Sequence, residues 1–460
     1  MHTQFPYRKV HFVGIKGAGM SALAQILHSH NISVTGSDTK EVFFSDISLR
    51  RAGIHFFERF SKDNIPADIE AIVYSTAYQI ETNEELLYAQ SKGIVLFSYP
   101  EFLGILTKQK LSIAVAGTHG KTTVTAMLAH TLLSAKKDPS AVVGSTVLNW
   151  KGGSLSGTGP HFVFEADEYQ NKFRFYTPWS LIVTNIGYDH SDFFPNQESY
   201  NETFSTFIKR IPPHGWIVVC ADNIQALTVS EKAVSHRITY GFHKDSMYCI
   251  EEMPCKKGFS QTFCVKKGEN ELGVFSLQIS GKHNIQNATA VIAFCDTIGM
   301  SIQDIFFGLS DFKGTARRME YIGEYNKAII LDDYAHHPEE IEATLQAVNQ
   351  KYPQKEKIVV FQPHTFSRTK EFLDGFAQSL SKADAVLLLD VYSSAREVSG
   401  EISSNDIVSL INKYYPEKSS NVHTIENAVS LLRKSLDKKT LVITMGAGDV
   451  WQVGKELLKK

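Results

Sequence analysis

The run Leu111-Ser112-Ile113-Ala114-Val115-Ala116, followed by Gly117-Thr118-His119-Gly120-Lys121-Thr122-Thr123, constrains this chain more than any other stretch. The apolar run reads as a buried strand, the glycines end it in a turn, and Val124 to His130 continues as a helix. A helix opening on lysine and threonine after such a turn suits phosphate: backbone N–H groups hold its oxygens, an ammonium reaches the outer phosphates and a hydroxyl can ligate Mg²⁺. The usual P-loop has a glycine where this chain has Val115, so the loop is the shorter Gly117-x-x-Gly120-Lys121-Thr122. The plainer alternative is an ordinary strand-to-helix turn with a stray lysine. An ATP or GTP site is the expectation.

A chain of 460 residues is long for one core, so two or three domains are expected. A net charge of −2 gives no electrostatic reason to expect nucleic acid or a membrane as partner. The N-terminal residues lack the apolar core of a secretion signal, and no apolar run approaches the roughly 18 residues of a membrane span. The cysteines (Cys220, Cys249, Cys255, Cys264, Cys295) are odd in number and show no zinc spacing, which fits reduced thiols and a cytoplasmic location.

Strands alternating with helices run through the chain and predict an α/β protein with mainly parallel sheets. In the first segment the strands are Lys9–Val13, Ile32–Thr35, Ala71–Thr76 and Ile94–Phe97. After the phosphate loop come His161–Phe164, Leu181–Thr184 and Trp216–Cys220, then a patch from about Ser235 to Ser280 that suggests antiparallel strands. Gly281-Lys282-His283-Asn284-Ile285-Gln286-Asn287 opens an apolar helix, and a third alternation places strands at Ala328–Leu331, Lys357–Phe361, Ala385–Leu389 and Thr440–Thr444. Three domains are expected, at 1–108, 109–315 and 316–460.

In such sheets ligands bind at the C-terminal ends of strands, and polar residues collect there. Gly17-x-Gly19-x-x-Ala22, with Asp38 after the second strand, loosely meets the dinucleotide fingerprint and supports a nucleotide diphosphate, without saying which. Glu165-Ala166-Asp167-Glu168 ends a strand, and Glu165 is placed as a hard ligand for Mg²⁺ or, alternatively, in a solvated acidic turn. His190, after Thr184-Asn185-Ile186-Gly187-Tyr188-Asp189, is a second metal ligand or a hydrogen-bonded loop residue. Asp332-Asp333-Tyr334-Ala335-His336-His337-Pro338 combines a helix start with a candidate site. In Gln362-Pro363-His364-Thr365-Phe366-Ser367-Arg368-Thr369, Arg368 could clamp a carboxylate or be a surface arginine. Met445-Gly446-Ala447-Gly448-Asp449 reads equally as a plain glycine turn.

Taken in order, these motifs resemble the Mur ligase family, the ATP-dependent amide-forming enzymes of peptidoglycan precursor synthesis. The likeness is nearest to members that add the first amino acid, L-alanine, to UDP-N-acetylmuramate. It implies an N-terminal Rossmann-like domain for UDP, a central P-loop ATPase domain and a C-terminal Rossmann-like domain. Gly17, Ala18, Gly19, Ser37, Asp38 and Ser75 would lie near the sugar nucleotide. Gly117, Thr118, His119, Gly120, Lys121, Thr122 and Thr123 would surround the ATP phosphates, with Thr122 and Glu165 on one Mg²⁺ and His190 near a second; Mn²⁺ could substitute. His283, Asn284 and Asn287 would lie near the adenine, and Arg318 and Asp333 would face the nucleotide. Tyr334, His336, His364 and Arg368 would close over the amino-acid and lactyl groups, and Lys121, His190, His336 and Arg368 would carry the chemistry.

A relative that attaches a whole tripeptide carries an insertion after its Glu-Ala-Asp-Glu-Tyr motif. Here only Gln170 to Ser180 separate Tyr169 from the next strand. Arg396 stands where many alanine-adding members have glycine, and no lysine clearly matches the carbamylated one of later family members, although Lys172 lies nearby. The implied reaction passes through an acyl phosphate, with domain closure on binding, in a monomer or weak dimer. The competing readings are the tripeptide ligase, an NAD-dependent dehydrogenase using the first glycine loop, and a nucleotide-binding regulator without ligase activity.

Overall fold

The computed structural model describes residues 6–190, 193–254, 261–393, 400 and 402–459. They fall into two compact units, one reaching Gln278 and resuming over Asn284–Thr315, the other made of Ile279–His283 and the chain from Ala316 onward.

The larger unit holds two sheets. The first contains β1 (Lys9–Val13), β2 (Ser33–Ser37), β3 (His55–Phe57), β4 (Ala71–Tyr74) and β5 (Val95–Ser98) in the order β3-β2-β1-β4-β5. All its pairings are parallel, and the order reverses at β1, whose C-terminal end is therefore a natural ligand crevice.

The second sheet is built from β6 (Leu111–Ala116), β7 (Ser140–Val147), β8 (Gly152–Leu155), β9 (His161–Glu165), β10 (Ser180–Val183), β11 (Trp216–Cys220), β12 (His236–Gly241), β13 (Tyr248–Glu252), β14 (Gln261–Lys267) and β15 (Asn270–Leu277). Its order is β15-β14-β13-β12-β11-β10-β6-β9-β7-β8. The antiparallel patch expected after Ser235 is only half so. Helix Ile224–Ser230 carries the chain back so that β12 joins β11 in parallel, and β13 joins β12 in parallel through Tyr240 and Gly241. Only β14 runs against its neighbours there, antiparallel to both β13 and β15.

Helix Ala18–Ser29 is apolar on nearly every side because it serves two cores. Met20, Leu23 and Leu27 pack with β1 and β2, while Ala22 and Ile26 join the core of the second sheet. This shared helix is why the two sheets form one unit rather than two loosely linked bodies.

The smaller unit is a six-stranded sheet of β16 (Glu320–Tyr325), β17 (Ala328–Asp333), β18 (Glu356–Phe361), β19 (Ala385–Leu389), β20 (Ser419–His423) and β21 (Thr440–Met445), ordered β16-β17-β21-β18-β19-β20. Only β16 is antiparallel to its neighbour. Leu441, Ile443 and Met445 fill the core on one face and Val442 that on the other, as expected of a strand covered on both sides.

Phe207 is fully buried and stacks on Phe173 with ring centroids 4.1 Å apart, beside Tyr176. Phe207→Ala should remove about 3–5 kcal/mol from the larger unit, seen as a lower midpoint of its unfolding in urea.

Candidate functional site

The parallel register of β9, β6 and β10 brings three strand ends level: Val115 pairs with Glu165, and Ala116 with Val183. Gly117–Gly120 therefore starts between the acidic end of β9 and the Thr184-Asn185 end of β10.

The loop is held from the β10 side. Thr118 N–H donates to Asn185 O at 3.1 Å, His119 N–H to Asn185 Oδ1 at 2.9 Å, and Thr184 Oγ1 and Asn185 Nδ2 both donate to His119 O. Gly117 has φ 139°, and a Cβ there would strike Thr184 Oγ1. Gly120, at φ 85°, caps helix Lys121–Ser134, and a Cβ on it would meet Asn287 Oδ1 at 2.8 Å. Asn287, expected near adenine, thus lies against the loop itself, with its Nδ2 3.3 Å from Asn284 Oδ1.

Thr122 Oγ1 donates to Glu165 Oε2 at 2.9 Å, and Glu165 Oε1 also accepts the Gly144 N–H. A hydroxyl and a carboxylate side by side at the start of helix Lys121–Ser134 make a hard oxygen donor pair whose chemistry fits Mg²⁺. Lys121 Nζ donates to Gly117 O, to Thr118 O at 3.3 Å and to Glu168, whose Oε2 is 3.2 Å away. Burial works against its charge, but Glu168 and Asp167 outweigh this and hold the ammonium above its ordinary range.

His190, at φ 59°, has Nε2 3.8 Å from Glu168 Oε1 and its ring 4.7 Å from that of Tyr169. Asp167, Glu168 and His190 each offer a ligand atom within 4.8 Å of the others, a mixed set that also suits a cation. Burial opposes ionisation of Asp167, yet Lys172, which pairs with it, and Lys121 keep its carboxyl below the usual range. Sequence reasoning chose Glu165 and His190 here and missed Asp167, Glu168, Thr184 and Asn185. Their only signal was their place at the same strand ends.

At the end of β1, Gly17 caps helix Ala18–Ser29 and Gly19 faces Tyr99. Asp38 is buried and accepts N–H groups from Lys16 at 2.7 Å and Thr39 at 2.8 Å, so its carboxylate fastens the glycine loop to the end of β2. Burial raises its pKa. Ser37 is also buried and donates to Glu85, while Ser75 lies at the end of β4 with its N–H on Val13 O.

In the smaller unit Asp333 ends β17 beside Met445 and accepts N–H groups from Met319 and Ala335, both at 2.8 Å. Burial pushes Asp333 up to about 6. Arg318 lies over the Tyr334 ring and 3.8 Å from Glu340. Its neighbour Arg317, which sequence reasoning did not single out, is the buried one: it donates to Asp332 at 3.0 Å and to the carbonyls of Gly446 and Gly448. The Gly446–Gly448 turn is therefore an arginine-anchored element.

His336 Nδ1 is 3.0 Å from Tyr334 O and 3.2 Å from Glu340 Oε2. Burial pushes His336 down to about 4, against Glu340 and with help from the nearby Arg368 and His364. His364 stacks on Tyr392 and pairs with it in a β-bridge. Tyr334, His336, His364 and Arg368 are thus gathered at one end of the third sheet. His283 belongs to this unit and burial likewise pushes it down to about 4, while Asn284 and Asn287 belong to the other. Arg396 lies outside the described residues.

Three family profiles cover the chain. Residues 9–111 match the one described as Mur ligase family, catalytic domain; 115–295 match Mur ligase middle domain; 317–448 match Mur ligase, glutamate ligase domain. The UDP-N-acetylmuramate–L-alanine ligase of Desulfitobacterium hafniense is 43% identical over 453 residues, covering 98% of this chain and 99% of that one. That of Clostridium acetobutylicum is 37% identical over 454 residues, with 98% of each covered. Among solved structures, the UDP-N-acetylmuramate–alanine ligase of Thermotoga maritima gives a TM-score of 0.84 at 28% identity, and a murein peptide ligase of Psychrobacter arcticus gives 0.75 at 25%, each covering 98% of both chains.

The His336 environment has a consequence for stability. An unfolded chain protonates this imidazole near 6.5, whereas the fold resists protonation until about pH 4. Between those values the unfolded state binds more protons, so stability rises with pH and is lost as pH falls from 6.5 towards 4. The drop in urea midpoint between pH 7 and pH 5 should be smaller in His336→Gln than in the wild type, though not abolished, because His283 acts in the same sense.

Proposed function

The chain belongs to the Mur ligase family, and from that premise we infer that it joins L-alanine to the lactyl carboxylate of UDP-N-acetylmuramate, driven by ATP, in peptidoglycan precursor synthesis. The observation that carries this reading is the Thr122–Glu165 pair beside Lys121, in a chain that matches L-alanine ligases from end to end. Domains at 1–108, 109–315 and 316–460 would take the UDP sugar, the ATP and the amino acid respectively.

A carboxylate is a poor electrophile, so it must first acquire a leaving group. In the proposed sequence the lactyl carboxylate attacks the ATP γ-phosphate, giving an acyl phosphate and ADP. The neutral amine of L-alanine then attacks the acyl carbon, and phosphate leaves. Gly117 to Thr123 would present backbone N–H groups to the phosphates, and Lys121 would turn from its carbonyl partners to the outer phosphates. Thr122 with Glu165, and His190 with its acidic neighbours, would hold two Mg²⁺ or Mn²⁺ ions. Bound there, the ions would neutralise phosphate charge. His283, Asn284 and Asn287 are assigned to the adenine side, with Arg318 and Asp333 toward the nucleotide.

Gly17, Ala18, Gly19, Ser37, Asp38 and Ser75 would form or support the UDP crevice at the β1 switch point. Arg368 and His364 would engage the amino-acid and lactyl carboxylates. His190 or His336 would take the proton that the attacking alanine amine loses. Among the described residues no helix is long and apolar enough to cross a membrane. A cytoplasmic monomer or weak dimer is the proposed form.

Phosphate release should be measured with UDP-N-acetylmuramate, ATP and Mg²⁺ against L-alanine, glycine, L-serine and the tripeptide. Turnover is expected with L-alanine; turnover with the tripeptide and none with L-alanine would overturn the assignment. In the same assay Lys121→Ala should lower kcat/KM by about 10²–10³-fold, the range for loss of one charge-stabilising group.

A further inference from the structure

Glu168 is a carboxylate with 0% exposure at the edge of the phosphate loop. Its Oε2 lies 3.2 Å from Lys121 Nζ, and its Oε1 accepts a hydrogen bond from Tyr200 OH at 2.8 Å. Tyr200 belongs to helix Gln197–Ile208, outside every motif the sequence offers, and it too is fully buried. Its ring is caged by Phe194 at 5.0 Å, Phe204 at 5.2 Å and Tyr188 at 6.3 Å, so its hydroxyl has one place to point. That hydroxyl also lies 3.0 Å from Thr118 Oγ1, which donates to Gly187 O and accepts the Gly187 N–H. One phenol thus touches both the acidic strand end and the phosphate loop.

In this arrangement Lys121 is engaged by Glu168 and by two loop carbonyls. A nucleotide phosphate can draw the ammonium away only if Glu168 tolerates losing it. A buried carboxylate stripped of its cation is strongly unfavourable unless another donor remains. The Tyr200 hydroxyl is such a donor, held on Glu168 Oε1 by its packed ring.

We propose that Tyr200 is a positioning residue that stabilises Glu168 when Lys121 turns to the nucleotide, and so sets nucleotide affinity without touching the nucleotide. The proposal rests on the reading of Gly117–Thr123 as an ATP site. Removing the hydroxyl leaves Glu168 more dependent on Lys121, and the ammonium becomes harder to release. Neutralising Glu168 removes the competition.

The test is the dissociation constant of the β,γ-imido analogue of ATP with Mg²⁺, measured by calorimetry on the full chain. Tyr200→Phe keeps the packed ring and should weaken binding about tenfold, as expected for loss of one hydrogen bond to a buried charge. Adenosine, which carries no phosphate to draw Lys121 from Glu168, should bind Tyr200→Phe within about twofold of the wild type. A role in packing alone would weaken both ligands alike. Wild-type affinity for the imido analogue in Tyr200→Phe, or an equal loss for adenosine, would overturn the proposal. A wild-type protein that does not bind the analogue would overturn the ATP reading itself.

Discussion

Between Ala116 and Lys121 the chain leaves a buried parallel strand and enters a helix with its amides kept apart. The end of β10 makes this possible. Thr184 and Asn185 donate to one loop carbonyl, and Asn185 accepts two loop N–H groups. Backbone groups this close to a buried sheet need partners, and here the partners belong to a neighbouring strand rather than to the loop. The loop shape is therefore a property of the sheet register. Shifting β10 by one residue against β6 would turn Thr184 to the other face and release the loop.

Legibility in the sequence followed burial. Central strands such as β6, β11, β19 and β21 are near-continuous apolar runs because both faces are covered, and they were readable. The strands that escaped notice were β3, β7, β8, β16 and β20. All but β7 lie at sheet edges, where one side needs no partner strand and a polar sequence such as Ser419-Ser420-Asn421-Val422-His423 suffices. β7 carries Gly144, Ser145 and Thr146 through its second half, which breaks the apolar pattern.

The site was legible in the same uneven way. The positions of Lys121, Thr122 and Glu165 at a helix start and a strand end were readable because fixed spacing on one strand or helix determines where they stand. Tyr200, Arg317 and Thr184 act across long sequence separations through hydrogen bonds that only the fold creates. The first glycine loop shows the same limit from the other side. Its pattern says nucleotide diphosphate, but the acid that follows it is buried and fastens backbone amides, a use that spacing alone does not reveal.

The charges around the phosphate loop are arranged for exchange rather than for rest. Lys121 is paired with Glu168, and Asp167 with Lys172, so these charges already balance one another. A highly anionic nucleotide entering that balance needs cations, and the one Lys121 charge would be divided between it and Glu168. Two features of the chain answer this. Oxygen donors at Thr122 and Glu165, and the group Asp167, Glu168 and His190, can recruit further positive charge. Tyr200 offers Glu168 a donor that needs no charge at all. Neutral donors and bound cations are complementary answers to one electrostatic demand. That explains why a buried phenol, remote in sequence, lies against the acidic end of β9.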